Sequence, residues 1–129
     1  MVQKEYDLGA AELEVLKALW DAGPATVRDV MNRLHESGRQ PAYTTVQTVL
    51  TRLEHKGFVG SDKTGPAYVY EALVSRDHLS RSRLKTLLEQ LYDGAAGPLV
   101  LQLVKSQRLT PEEISELHKL IDGLDRAER

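Results

Sequence analysis

The chain has 129 residues, 41% of them hydrophobic and 28% charged, and a formal net charge of −2, which is the make-up of one globular domain with or without an appendage. It holds no cysteine, which excludes disulfides, thiol catalysis and thiolate metal sites. No apolar run nears the roughly 18 residues of a membrane span, and the first residues lack a signal peptide's apolar core, so the expectation is a cytoplasmic protein with no membrane partner.

Charge is unevenly spread. Residues 26–63 carry six Arg/Lys against four Asp/Glu, whereas residues 1–25 carry two against five. A local positive excess of that size is compatible with nucleic acid but a weak argument for it. His35, His55, His78 and His118 have no second histidine at i+3 or i+4. They therefore read as surface residues, and neither a metal nor another cofactor is expected.

In chain order, Leu13, Leu16 and Trp20 recur at helical spacing, with Val15 and Leu19 widening the stripe, and predict a helix over residues 10–20. Gly23 and Pro24 end it, and Trp20 reads as core rather than as a stacking platform. Thr26 is a predicted N-cap for a second helix over residues 27–36, with Asp29 favouring its positive end. Val27, Val30, Met31 and Leu34 form its buried stripe, and Gly38 and Pro41 stop it.

Residues 42–57 form a third helix of unusual character. At about 100° per residue, Tyr43, Val46, Val49, Leu50 and Leu53 fall within roughly 120°, a core-facing arc. The opposite arc carries Thr44, Thr45, Gln47, Thr48, Thr51 and Arg52. Solvated helix faces favour Glu, Lys and Ala, and threonine costs helix propensity at χ1. Short hydroxyls, an amide and a guanidinium suit a surface that approaches phosphates and base edges closely. The plain alternative is a Thr-rich surface helix without a role. Two short helices joined by a Gly/Pro connection, the second with a polar contact face, form a helix-turn-helix.

After Gly57 the period changes from 3.6 to 2. Residues 58–70 predict strand, turn, strand, with Thr64, Gly65 and Pro66 at the turn and Lys63 at its tip as a phosphate contact. Tyr68 and Tyr70 share a face and are expected to pack the hairpin onto the helices rather than to stack on bases. Three helices and a hairpin make a winged helix.

Ser75 caps a predicted fourth helix over residues 76–92, with Leu79, Leu84, Leu87, Leu88 and Leu91 as its apolar set. Arg76, Arg81, Arg83 and Lys85 read as a solvated face, the alternative being phosphate contact at a dimer centre. Residues 93–98 break the chain, and residues 99–104 resume as a short apolar helix. Thr110, Pro111 and Glu113 make a strong start for the last helix, where Ile114, Leu117, Leu120, Ile121 and Leu124 keep a/d-like spacing. Helices this small cannot enclose a core alone, so a second copy of the chain is the simplest cover. The expected dimer contacts are Leu84, Leu87, Leu88, Leu91, Leu99, Leu103, Leu117 and Ile121. The fold class is mainly α with a small β-hairpin: a winged helix-turn-helix over residues 1–73, then a helical dimerisation region over residues 74–129.

The pattern resembles the penicillinase repressor (BlaI/MecI-type) family of bacterial transcriptional repressors. The residues that carry the resemblance are Glu12 and Trp20, then Ala42-Tyr43-Thr44-Thr45-Val46, Thr48, Leu50, Arg52-Leu53 and Lys56-Gly57, then Ala67-Tyr68, Tyr70 and Ser75-Arg76, with the apolar helix at 99–104. It spans nearly the whole chain, and the run from Tyr43 to Gly57 is its specific part. It implies a winged-helix domain, a helical dimerisation region and repression by a homodimer on a palindromic double-stranded operator. Thr44, Thr45, Thr48 and Arg52 correspond to operator-facing positions; with Tyr43, Gln47, Thr51 and Lys63 they form the expected DNA-contact set. Members that answer to β-lactams are cut by a regulatory protease at an Asn-Phe bond in the dimerisation region. Here the corresponding dipeptide is Gln102-Leu103, which lengthens the amide and removes the ring, so release by a different protease or without cleavage is expected. Copper-responsive relatives carry a C-terminal cysteine cluster, absent here.

No P-loop, GxGxxG or GxSxG motif occurs, so no enzyme is expected. The rival function is a winged helix used only for protein–protein contact, which would predict an apolar or acidic face on the third helix.

Overall fold

The computed structural model describes residues 8–127, so the start of the segment read for a signal peptide lies outside the described residues. Its elements run α1 (Ala10–Ala22), β1 (Ala25–Thr26), α2 (Val27–Glu36), α3 (Tyr43–Lys56), β2 (Val59–Asp62), β3 (Val69–Ala72), α4 (Arg76–Leu91), α5 (Ala96–Ser106) and α6 (Pro111–Ala127). The chain divides into two compact units, the first closing at Lys85 and the second opening at Thr86.

In the first unit, α1, α2 and α3 surround one core. Leu16, Leu19, Val30, Val46, Leu50, Leu53, Phe58 and Val59 are among its most deeply buried members. The predicted α2 cap is present in full: the Asp29 amide donates to Thr26 Oγ1 and the Thr26 amide donates to the Asp29 carboxylate. Gly57 adopts φ 87°, the left-handed conformation that lets α3 stop and the chain turn into β2.

The sheet has three antiparallel strands rather than a hairpin alone, in the order β1-β3-β2. Tyr70 pairs with Ala25 on one side and with Ser61 on the other. The two-residue β1 was invisible because Ala25 and Thr26 are too short for a period-2 pattern and Thr26 also caps α2. Trp20 is half-buried, and its ring nitrogen donates to the Val74 carbonyl at 2.8 Å. The first unit extends beyond residue 73: Arg76 lies over the Trp20 ring and 3.3 Å from Asp21, and Leu79 is buried.

In the second unit, α6 starts on the expected capping box, with the Glu113 amide donating to Thr110 Oγ1 and the Thr110 amide to the Glu113 carboxylate. Neither α5 nor α6 has a buried residue. None of the described helices is long and apolar enough to cross a membrane.

Candidate nucleic-acid interface

The core fixes which face of α3 is offered outward. Val46, Val49, Leu50 and Leu53 are buried, so Thr44, Thr45, Gln47, Thr48, Thr51 and Arg52 are exposed, as their arc predicts, and His55 joins them. Gln47, Thr48, Thr51, Arg52 and His55 line a shallow groove of about 500 Å³. The α2–α3 connection is pinned by His35, half-buried rather than a surface residue, whose Nε2 donates to the Pro41 carbonyl at 3.1 Å. Ala42 supplies no side-chain cap, which leaves the first-turn amides of α3 open at the positive end of its dipole.

The four threonines of this face are not equivalent. Thr48 and Thr51 donate their hydroxyl hydrogens to the carbonyls of Thr44 and Gln47, both at 2.9 Å. Thr48 therefore shows the outside a methyl group and oxygen lone pairs, and no donor, while the Thr51 hydroxyl is engaged by Tyr70 as well. Among the described residues Thr44 and Thr45 have no such bond, so they keep a donor for a phosphate oxygen.

One flank of α3 faces the wing. Tyr43 is not part of the core stripe. It is 41% exposed, because the packing of α3 turns its first residue toward α2 and the wing instead of inward. A cleft of about 560 Å³ opens there, lined by Thr26, Arg28, Tyr43, Gln47, Tyr68 and Tyr70, among others. Two cations lie on its rings: Arg28 over Tyr43 and Lys63 over Tyr68, each 5.6 Å from the centroid. Lys63 also stands 3.6 Å from Glu54, which accepts from Ser61 as well. Tyr68 and Tyr70 part company: Tyr68 precedes β3 and is 47% exposed, whereas Tyr70 on β3 is buried. Burial first, then the negative charge of Glu54, pushes the Tyr70 hydroxyl above its usual pKa. At the turn, Asp62 accepts from the hydroxyl and amide of Thr64, which hold its carboxyl below the usual range.

The other flank faces α1, where the sequence reading named Glu12 only through the resemblance and missed its burial. Glu12 is only 4% exposed. Its Oε1 accepts from the Gly9 amide at 2.8 Å and from Lys56 Nζ at 2.9 Å; Oε2 is buried with no partner among the described residues. Burial alone would raise its pKa, but the Gly9 amide, Lys56 and the charge of Arg52 together lower it, so it is ionised at neutral pH. Arg28 gave no sequence signal, and Glu12 was marked only by the resemblance, with nothing in the local pattern to show its burial or its pairing with Lys56.

In the C-terminal region, Leu84, Leu91, Leu103 and Ile121 are exposed, and Leu87, Leu88, Leu99 and Leu117 are half-buried. Val100, Leu101, Val104, Ile114, Leu120 and Leu124 add to the uncovered apolar surface. Gln102 and Leu103 lie within α5, and Gln102 Oε1 accepts from the Tyr92 hydroxyl at 2.8 Å. Arg81 is paired with Asp77 on an exposed face of α4. Among the described residues no group of metal-ligating side chains converges.

The sequence pattern described as penicillinase repressor matches residues 8–123. The chain is 28% identical over 122 residues to the methicillin resistance regulatory protein MecI of Mammaliicoccus sciuri, covering 95% of this chain and 98% of that one. It is 27% identical over 121 residues to the penicillinase repressor of Bacillus licheniformis, covering 94% of each. Its fold is similar to the solution structure of the DNA-binding domain of the repressor BlaI, with a TM-score of 0.51 and 28% identity over 60% of this chain and 93% of that one.

Proposed function

Because the chain belongs to the penicillinase repressor family, we propose that it represses transcription as a homodimer that lays α3 of each copy in the major groove of a palindromic operator. Membership makes it a DNA-binding repressor and not an enzyme. The observation that carries the finer reading is the outward face of α3: short, polar and exposed along its length, with a wing beside it. A module for protein contact alone would show apolar or acidic side chains there.

The proposed roles follow from the geometry. Gln47 and Arg52 carry the long hydrogen-bonding groups that suit adenine and guanine edges. Thr44 and Thr45 donate to phosphates, Thr48 and Thr51 offer methyl groups to thymine, and Tyr43 and Lys63 meet the backbone from the wing side. The uncovered leucines of α4, α5 and α6 are proposed to meet a second copy. The regulated genes are proposed to belong to the β-lactam response, after the names of the relatives. Release is proposed to need a protease other than one selective for Asn-Phe, or none, since Gln102 is held in a helix and bonded to Tyr92.

Selection of bound genomic fragments followed by sequencing tests this. The expected result is a two-fold symmetric site. On that site Arg52→Ala should cost about 1–3 kcal/mol and relax one operator position. Equal weakening on all sequences would make Arg52 a phosphate contact, and no weakening would refute α3 as the reader.

A further inference from the structure

The connection between α2 and α3 borders a cleft, shared with α1, that the contacts described so far do not use. Gly38 adopts φ 95°, which turns the chain away after α2, and the Arg39 amide donates to the Leu34 carbonyl at 3.0 Å. On the α1 side the lining includes Ala11, a methyl group where a longer side chain would fill the gap. The cleft measures about 410 Å³, inside the range of roughly 300–1,000 Å³ typical of small-molecule sites. Its floor is apolar and consists of the core residues Val15, Leu34, Val46 and Val49. Its rim is polar and unevenly charged. Glu14 is neutralised twice, by Lys17 at 3.6 Å and by Arg39 Nε at 3.9 Å. The two terminal nitrogens of Arg39 have no partner among the described residues.

We propose that this cleft is a regulatory site for a small aromatic carboxylate, whose occupation weakens binding to DNA; the regulatory half rests on the DNA-reading assignment above. Branched aliphatic side chains and Pro41 suit a flat apolar ring, which gains by leaving water. The unpaired edge of the Arg39 guanidinium suits a carboxylate, which it meets with two parallel hydrogen bonds. An ammonium has no equivalent place, because Glu14 already holds two cations. The link to DNA is Thr45, which lines the cleft and also stands on the outward arc of α3. A carboxylate bound here places negative charge beside the hydroxyl proposed to donate to phosphate, and like charges so close repel. Ligand and DNA therefore oppose each other, and by reciprocity DNA weakens the ligand by the same factor.

Calorimetric titration of the full chain with naphthalene-2-carboxylate, and with the uncharged naphthalene-2-carboxamide, tests the site. Titration of the duplex recovered by genomic selection, with and without the carboxylate, tests the coupling. The carboxylate should bind saturably, one per chain, and the amide about tenfold more weakly, since only the first makes charge-assisted bonds. Saturating carboxylate should weaken duplex binding about fivefold or more. Arg39→Gln should abolish the preference for the carboxylate over the amide. Ala11→Leu, at an exposed position of α1, should fill the cleft and abolish binding of both probes, with duplex binding in their absence unchanged. A wild-type chain that does not bind the carboxylate overturns the site, as does a folded Ala11→Leu chain that binds it undiminished. If Ala11→Leu does not fold, Arg39→Gln decides: a preference for the carboxylate that survives it overturns the site. Binding without effect on the duplex overturns the regulatory role and leaves the DNA-reading assignment intact. A chain that binds the carboxylate but recovers no duplex refutes the DNA-reading assignment, and the regulatory role with it, while the site stands.

Discussion

α3 and α6 look alike as apolar patterns, yet the structure treats them in opposite ways. On α3, Val46, Leu50 and Leu53 are at most 1% exposed; on α6, Leu120, Ile121 and Leu124 are between 57% and 68% exposed. The difference is in the company each helix keeps, not in hydrophobicity. α3 packs on α1, α2 and the sheet, and each buried leucine there is worth about 1.5–3 kcal/mol of transfer free energy. Among the described residues nothing buries the α6 stripe in the same way. Its stripe is therefore proposed to serve a contact with another chain.

The largest expected effect separates the two helices directly. Leu50→Ala should destabilise the first unit by about 2–5 kcal/mol, the cost of a core cavity, whereas Leu120→Ala should leave that unit within about 0.5 kcal/mol of wild type. The chain's single tryptophan, Trp20, lies in the first unit, so urea unfolding followed by its fluorescence reads that unit alone. Equal losses would mean that α6 supports the first core after all.

The next effect concerns assembly. Leu120→Asp with Leu124→Asp places charges on the uncovered stripe. It should convert a dimer into monomers in sedimentation and weaken operator binding by about 10²-fold or more, as two half-sites lose their linkage. The Trp20 transition should not move. A wild-type chain that sediments as a monomer at micromolar concentration would end the dimer proposal.

A third, smaller effect concerns where the first unit stops. A fragment ending at Lys85 keeps the Trp20–Val74 hydrogen bond, the Asp21–Arg76 pair and buried Leu79, all lost in one ending at Ala72. The shorter fragment should be less stable by about 1–3 kcal/mol, again read by Trp20. Equal stability would return the boundary to residue 73.

These contrasts show what periodicity can and cannot carry. The α2 bounds, its Thr26–Asp29 box, the stop at Gly57 and the Thr110–Glu113 start were legible because caps and breakers are local chemistry. The exposed threonine arc of α3 was legible for the same reason. Tyr43 was misplaced because an angle on a helical wheel says nothing of where the neighbouring helix ends. Strand β1 and the Glu12–Lys56 pair were illegible because both join residues far apart in the chain, Ala25 with Tyr70 and Glu12 with Lys56. The apolar stripes on α5 and α6 are mostly exposed, and no sequence pattern says what covers them.

The smallest expected effect lies within α3 itself and divides threonines that the sequence treats as one set. Thr48 has already given its hydroxyl hydrogen to the Thr44 carbonyl, so its proposed contact with DNA is through its methyl group and lone pairs. Thr48→Val keeps the β-branch and a methyl in the same place, and should change operator affinity by no more than about 0.5 kcal/mol. Thr44 has no such bond among the described residues and stands in the open first turn of α3, where a hydroxyl can donate to a phosphate. Thr44→Val should therefore cost about 1–2 kcal/mol, a hydrogen bond to a charged acceptor, without changing which sequences are preferred. Titration of both variants on the selected duplex compares them on equal terms. Equal losses at the two positions would mean that Thr48 turns its hydroxyl outward when it meets DNA, and the division drawn here within the threonine face would fail.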